Sequence, residues 1–179
     1  MSNNQKLTVM KKLRFLKTLI DIFWFFSLLA AVTMIGYLLY SYFQQGPLEL
    51  PLKINGEPIT DFGFSTQFML TLGFIAYAFF VYGIHLFRKL LRLFEHKIIF
   101  EQQTIRLLHQ IGRNFTAASL LSWFALFVYD AFHDDSKGID FSSGFNSFLF
   151  TVSLGLFFMV LSEVFAIAKN MKEENELTV

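Results

Sequence analysis

The sequence predicts an all-α integral membrane protein with four transmembrane helices, a short external β-hairpin and a cytoplasmic amphipathic helix. The composition is 54% hydrophobic and only 16% charged, whereas about a quarter of the residues in a soluble domain are charged. Four apolar segments meet or approach the roughly 20 residues that a helix needs to cross a bilayer core. The basic residues collect in alternate connections between these segments, which is typical of a multi-pass protein.

The four predicted spans divide a single membrane domain of residues 1–179, and they cover residues 19–42, 68–87, 115–132 and 148–168. They are too long and too continuously apolar to be the alternating strands of a membrane barrel. A helix satisfies its own backbone groups in hydrocarbon, so we predict helices. The segments between them are predicted as two external loops and one cytoplasmic linker, at residues 43–67, 133–147 and 88–114.

The first apolar segment follows a cluster of basic residues, which is also a feature of a secretory signal peptide. Its apolar run is longer than that of a signal peptide and ends in the aromatic residues Tyr37, Tyr40, Tyr42 and Phe43. Aromatic residues at this position are typical of the membrane interface. We interpret the segment as a retained signal-anchor helix, with cleavage as the alternative.

The distribution of charge predicts the orientation. Thirteen of the 15 Lys and Arg residues lie before the first span, between the second and third spans, or after the fourth. The other two, Lys53 and Lys137, lie in the remaining connections together with six acidic residues. Connections rich in Lys and Arg stay in the cytoplasm, so both ends of the chain are predicted to be cytoplasmic.

The first external loop contains alternating apolar residues followed by the dipeptide Asn55-Gly56. Asn-Gly between extended segments is the strongest short hairpin signal, because both residues tolerate the positive φ of a type I′ turn. Pro58 lacks an N–H donor and restricts the pairing to a short ribbon. We therefore predict a short external β-hairpin in this loop.

The cytoplasmic linker is predicted to continue the second helix over residues 88–97 and then to form an amphipathic helix over residues 100–112. Ile105, Leu108 and Ile111 fall on one stripe of that helix. A helix with such a stripe and with basic residues suits the surface of an anionic leaflet. We expect it to lie in the membrane interface, and binding of a cytosolic partner along the same stripe is the alternative.

Three ionisable residues, Asp21, His85 and Glu163, lie near the cytoplasmic ends of their predicted spans. At 1.5 Å per residue they share one layer about 4 to 9 Å inside the boundary, so we predict that they form an intramembrane polar cluster. The cluster either stabilises the bundle, aided by pairing with Lys17, or relays protons or binds a cation. We favour the structural interpretation.

At the other end of the third span, Asp130, His133 and Asp134 follow a helical i, i+3, i+4 spacing. We interpret them as a solvated acidic cap, because three donors without a further fixed ligand form an incomplete metal site. Small residues such as Ala118 and Ser122 indicate close helix packing. The sequence contains no Cys and no catalytic or phosphate-binding motif, so we predict no enzyme activity, no cofactor and no metal.

Two segments of the chain, residues 100–112 and the closing residues 172–179, resemble a bacterial four-helix membrane family called domain of unknown function 2975. In the first segment, the residues that fit the family are Phe100, Leu108, Ile111 and Gly112. In that family a capping Ser or Thr and an Asn are usual where this chain has Glu101 and Thr104. The family has no established activity. The resemblance implies a regulatory setting, because its members are often encoded beside a small helix-turn-helix regulator.

We therefore expect a non-enzymatic regulatory or sensor protein of the plasma or inner membrane, which engages a small cytoplasmic DNA-binding regulator and no nucleic acid directly. The alternative is a small transporter or channel component that uses the intramembrane cluster. The expected partner-binding surface combines apolar anchors with acidic residues that steer association, namely Phe100, Ile105, Leu108, Glu173, Glu174 and Glu176.

Overall fold

The computed structural model describes residues 3–43, 53–54, 57–58, 63–132 and 142–177. Its four helices are α1 Asn3–Phe43, α2 Phe64–Glu95, α3 Gln102–Phe132 and α4 Ser142–Leu177. Each helix contains one of the predicted spans and is long and apolar enough to cross a membrane. The prediction of a helical multi-pass membrane protein is therefore confirmed.

The helices pack in chain order, with α1 against α2, α2 against α3, and α3 against α4. Among the described residues, the backbones of α1 and α4 do not approach one another. Lys17 on α1 pairs with Glu95 at the end of α2, and Lys169 on α4 reaches Gln102 at the start of α3. These contacts place the last turn of α2 and the first turn of α3 at one end of the bundle, which we call the α2–α3 end.

The predicted interfacial helix over residues 100–112 is wrong. Residues from Gln102 onward are the first turns of α3, which continues without a break to Phe132. Ile105, Leu108 and Ile111 are 8%, 0% and 0% exposed, because their stripe faces the neighbouring helices. The periodicity correctly indicated an apolar stripe, but this stripe packs against the neighbouring helices and does not contact lipid.

The predicted continuation of the second helix is confirmed, since α2 extends to Glu95. Two residues beyond this end, Lys97 has a left-handed φ of 62°. The Lys97 N–H donates to the Phe94 carbonyl and the Ile98 N–H donates to the Leu93 carbonyl, both at 3.0 Å. This pair of bonds satisfies carbonyls that a helix end leaves open. It also reverses the chain within a short connection, so that α3 returns alongside α2.

Two short strands lie between α1 and α2. They are β1 Lys53–Ile54 and β2 Glu57–Pro58, which pair antiparallel with Lys53 opposite Pro58 and Ile54 opposite Glu57. A ladder of two residue pairs is far below the usual strand length of about five or six residues, so the fold class rests on the helices. The dipeptide Asn55-Gly56 lies outside the described residues, and the external hairpin stays a prediction.

The α3 and α4 helices approach one another closely at two glycines. A Cβ atom on Gly112 would lie 2.5 Å from the Gly155 carbonyl oxygen and 2.9 Å from the Met159 amide nitrogen. A Cβ atom on Gly155 would lie 2.9 Å from the Gly112 carbonyl oxygen. Backbones can come this close only where side chains are absent. Two turns beyond Gly155 on α4, the buried Ser162 hydroxyl donates to the Ile105 carbonyl at 2.9 Å, so the two helices are held by packing and by a hydrogen bond.

Candidate functional site

Two ion pairs join α1 to α2 at the α2–α3 end. The Lys17 Nζ atom lies 2.7 Å from Glu95 Oε2, and the Arg88 Nε atom lies 2.5 Å from Asp21 Oδ1. Lys17 and Asp21 are one turn apart on α1, while Arg88 and Glu95 are two turns apart on α2, so each helix presents both of its charges on one face. The two pairs together determine how α1 is positioned along α2.

An aromatic ring packs on the Arg88 side chain. Its guanidinium carbon lies 4.0 Å from the centroid of the Trp24 ring, a cation–π contact. The Trp24 ring in turn lies 5.7 Å from the His85 ring, which stacks on Tyr82 at 6.4 Å. We call the charged and aromatic residues of this interface the polar layer, and they are Lys17, Asp21, Trp24, His85, Arg88 and Glu95.

Glu163 does not belong to the polar layer. Its side chain is exposed on α4, next to the exposed apolar residues Val160 and Val164. The predicted cluster of Asp21, His85 and Glu163 is therefore wrong. The three residues were expected to meet because they lie at similar depth, but α2 and α3 stand between α1 and α4. Depth along a helix does not determine which helices are neighbours.

The polar layer has the contacts of a structural element. Both of its carboxylates, Asp21 and Glu95, already accept a hydrogen bond from a cationic side chain. Pairing of this kind lowers the cost of placing charge near hydrocarbon. These contacts attach α1 to α2, and the structural interpretation of Asp21 and His85 stays a prediction.

The polar layer also includes Trp24, Arg88 and Glu95, which were not predicted from the sequence. The spacing did contain a signal, because Trp24 follows Asp21 by three residues and Arg88 follows His85 by three. An i, i+3 spacing places both members of each pair on one helix face. What the spacing could not reveal was that these two faces meet.

The predicted partner-binding residues divide into two groups. Ile105 and Leu108 are buried, so the prediction that they are anchors for a soluble partner is wrong. Phe100 is 41% exposed, and the edge of its ring packs on Phe165 with the centroids 5.5 Å apart. The acidic residues all lie exposed on the last turns of α4, at Glu173, Glu174 and Glu176.

The end of α4 extends beyond the start of α3. The Lys169 Nζ atom donates to Gln102 Oε1 at 3.5 Å, and every residue beyond it up to Leu177 is exposed. We call residues 171–177 the α4 tail. Two i, i+4 ion pairs support its helical form, Lys169 with Glu173 at 3.4 Å and Lys172 with Glu176 at 3.6 Å.

The side chains of Asp130, His133 and Asp134 lie outside the described part of the chain. Their interpretation as an acidic cap at the opposite end of the bundle stays a prediction.

Comparison with known protein families identifies a match over most of the chain. A family model with the description "Protein of unknown function (DUF2975)" matches residues 31–179. No curated protein and no solved structure matches the chain. The matched range holds the end of α1 and all of α2, α3 and α4, including the Gly112 and Gly155 crossing and the α4 tail. The α1 half of the polar layer, with Lys17 and Asp21, precedes it.

Proposed function

Since the chain belongs to the family described as protein of unknown function DUF2975, we propose that it is a non-enzymatic regulatory membrane protein whose α2–α3 end binds a soluble cytoplasmic protein. The observation that carries this proposal is the α4 tail. A transmembrane helix that leaves its bundle and exposes its whole circumference offers a surface that the fold itself does not use. Regulation of a soluble partner at a membrane requires such a surface.

The chemistry of the α2–α3 end suits a partner with a basic surface. Met171 and Leu177 in the α4 tail are 58% and 86% exposed, and Ile99 and Phe100 in the preceding connection are 38% and 41% exposed. Apolar residues of this kind bury area on docking and slow dissociation. The three glutamates of the tail accelerate association with a cationic surface. A small DNA-binding protein has a surface of that type, and it is the partner that we propose.

The proposal requires the α2–α3 end to face the cytoplasm, as the positive charge of its connections predicts. We expect a reporter fused after Lys97 or after Val179 to be cytoplasmic and one inserted near Asn55 or Gly138 to be external. The reporters are alkaline phosphatase, which is active only outside the cytoplasm, and green fluorescent protein, which serves as the matched reporter for a cytoplasmic position. Phosphatase activity from the Lys97 fusion would contradict the proposal.

The direct test is binding of the purified protein in detergent to any small helix-turn-helix regulator that is encoded beside its gene. A chain that ends at Asn170 lacks the α4 tail, and we expect its affinity for the regulator to fall at least tenfold. Replacing Glu173, Glu174 and Glu176 by Lys should mainly slow association and remove its dependence on salt.

Lys172→Glu is the control of opposite sign, because it adds negative charge to the same tail and should speed association. Binding is compared only among variants whose thermal stability equals that of the wild type, so that a loss of binding reports a lost contact and not altered folding. Equal affinity of the full chain and the chain ending at Asn170 would contradict the proposal.

No observation among the described residues favours the transporter alternative. The carboxylates of the polar layer are paired with Lys17 and Arg88. Beyond that layer, Leu90, Leu108 and Ile111 belong to a buried apolar cluster that fills the space between the helices.

A further inference from the structure

The four helices separate around a cavity at the end of the bundle opposite the α2–α3 end. Its volume is about 450 Å³, and residues of all four helices line it. The wall from α1 is formed by Met34, which faces Gly73 on α2. Pockets for small molecules usually measure roughly 300–1,000 Å³, so the cavity has the size of a ligand site.

The lining of the cavity contains aromatic and hydroxyl-bearing residues, and among the described residues no charged one belongs to it. A charged ligand would lose its hydration here without gaining an ionic partner. An uncharged ligand with an apolar body would replace its contacts with lipid by contacts with aromatic rings. The residues that define this character are Tyr77, Trp123, Phe148, Ser119, Ser122 and Thr151.

The hydroxyls of Ser122 and Ser147 differ from the other hydroxyls that line the cavity. Three other hydroxyls of the lining donate to backbone carbonyls, Tyr77 to Ser27, Ser119 to Phe148 and Thr151 to Ser147. Within the part of the chain that the structure describes, the hydroxyls of Ser122 and Ser147 have no hydrogen-bond partner, and both residues are exposed where they line the cavity. A hydroxyl that is surrounded by lipid or by an apolar ligand is costly without a partner, so the accessible Ser122 O–H is an open donor for an oxygen atom of a ligand.

We propose that this cavity binds an uncharged, lipid-soluble molecule that carries hydrogen-bond-accepting oxygens. One ligand oxygen accepts from Ser122, and the apolar body of the ligand packs on Trp123 and Tyr77. Lipid-soluble quinones and acylglycerols share this chemistry, and the experiment below separates them. The inference goes beyond the proposed partner binding, because no residue of the α4 tail lines the cavity.

The two tryptophans of the chain provide the readout, since Trp123 lines the cavity and Trp24 lies in the polar layer. The protein is placed in nanodiscs of phosphatidylcholine and titrated with decylubiquinone or with a brominated diacylglycerol, both of which quench tryptophan fluorescence. We expect saturable quenching in wild type and in Trp24→Phe. The Trp123→Phe variant should show only the linear quenching of a probe dissolved in lipid.

Saturable quenching by either probe supports the site. If only one probe quenches saturably, that probe identifies the chemical class of the ligand. Linear quenching of Trp123 by both probes would overturn the proposal.

Two glycines provide matched variants for filling the cavity. A Cβ atom on Gly73 would meet nothing closer than Met34 Cε at 4.0 Å, and a Cβ atom on Gly36 would meet nothing within 4 Å. Gly73 lines the cavity and Gly36 does not. Gly73→Leu should therefore raise the Kd of the saturating probe at least tenfold, whereas Gly36→Leu should change it less than twofold.

Ser122→Ala removes the open donor without filling space, and it should weaken binding about two- to tenfold, the effect of one neutral hydrogen bond. This variant keeps the test decisive if Gly73→Leu fails to fold. Unchanged affinity in Ser122→Ala and in folded Gly73→Leu would assign the saturable quenching to another site and overturn the proposal.

Discussion

Replacing Gly112 by Ala should lower the free energy of unfolding by about 2–3 kcal/mol, the upper part of the range for overpacking a close contact. The new Cβ atom would lie 2.5 Å from the Gly155 carbonyl oxygen and 2.9 Å from the Met159 amide nitrogen. Both are backbone atoms, so α3 and α4 must move apart because no rotamer change relieves the overlap. Unfolding of the purified protein by denaturant in mixed micelles measures the loss.

Gly36→Ala is the control for this prediction. The Gly36 position has open space where a Cβ would lie, and Ala is favoured over Gly in a helix by roughly 0.8–1 kcal/mol. Gly36→Ala should therefore leave the stability unchanged or slightly increased. A similar loss in both variants would show that the Gly112 effect does not come from the helix crossing.

Replacing Leu108 by Ala should lower the free energy of unfolding by about 2–5 kcal/mol, as for other leucines removed from a packed core. Leu108 is 0% exposed and belongs to the buried cluster that includes Leu90, Ile111 and Phe115. Its removal leaves a cavity between α2 and α3 that rigid helices close only in part. The same unfolding experiment measures the effect.

Leu120 is the matched control because it lies on α3 as well and is 50% exposed. In Leu120→Ala, lipid chains occupy the freed space, so we expect a loss below about 1 kcal/mol. Equal losses for the two leucines would mean that α3 is not oriented as the structure has it.

The position of Leu108 also determines how partner-binding experiments are interpreted. A substitution at Leu108 changes the interior of the bundle, so loss of a partner in that variant would report altered folding. Removal of the α4 tail changes an exposed surface, so loss of a partner there reports a lost contact. The tail is therefore the informative place to test the proposed function.

The sequence by itself determined the four spans, their helical state and the continuation of α2 beyond the predicted span. These features depend on local properties, namely the length of each apolar run and the cost of unpaired backbone groups in hydrocarbon. Asp21 and His85 were also identified as residues of one polar region, because a charged or titratable group inside a span needs a partner.

The tertiary structure alone decided which faces of the helices meet. Phe25 and Phe115 are both phenylalanines in apolar runs, yet Phe25 is 63% exposed and Phe115 only 6%. Likewise, Glu163 was assigned to the layer of Asp21 by depth, although the two lie on helices that are not neighbours. In a bilayer, lipid and protein are equally apolar, so hydrophobicity does not distinguish a face that contacts lipid from one that packs on another helix. That choice is made by shape, through close approaches such as Gly112 against Gly155, and shape appears only when the helices are assembled.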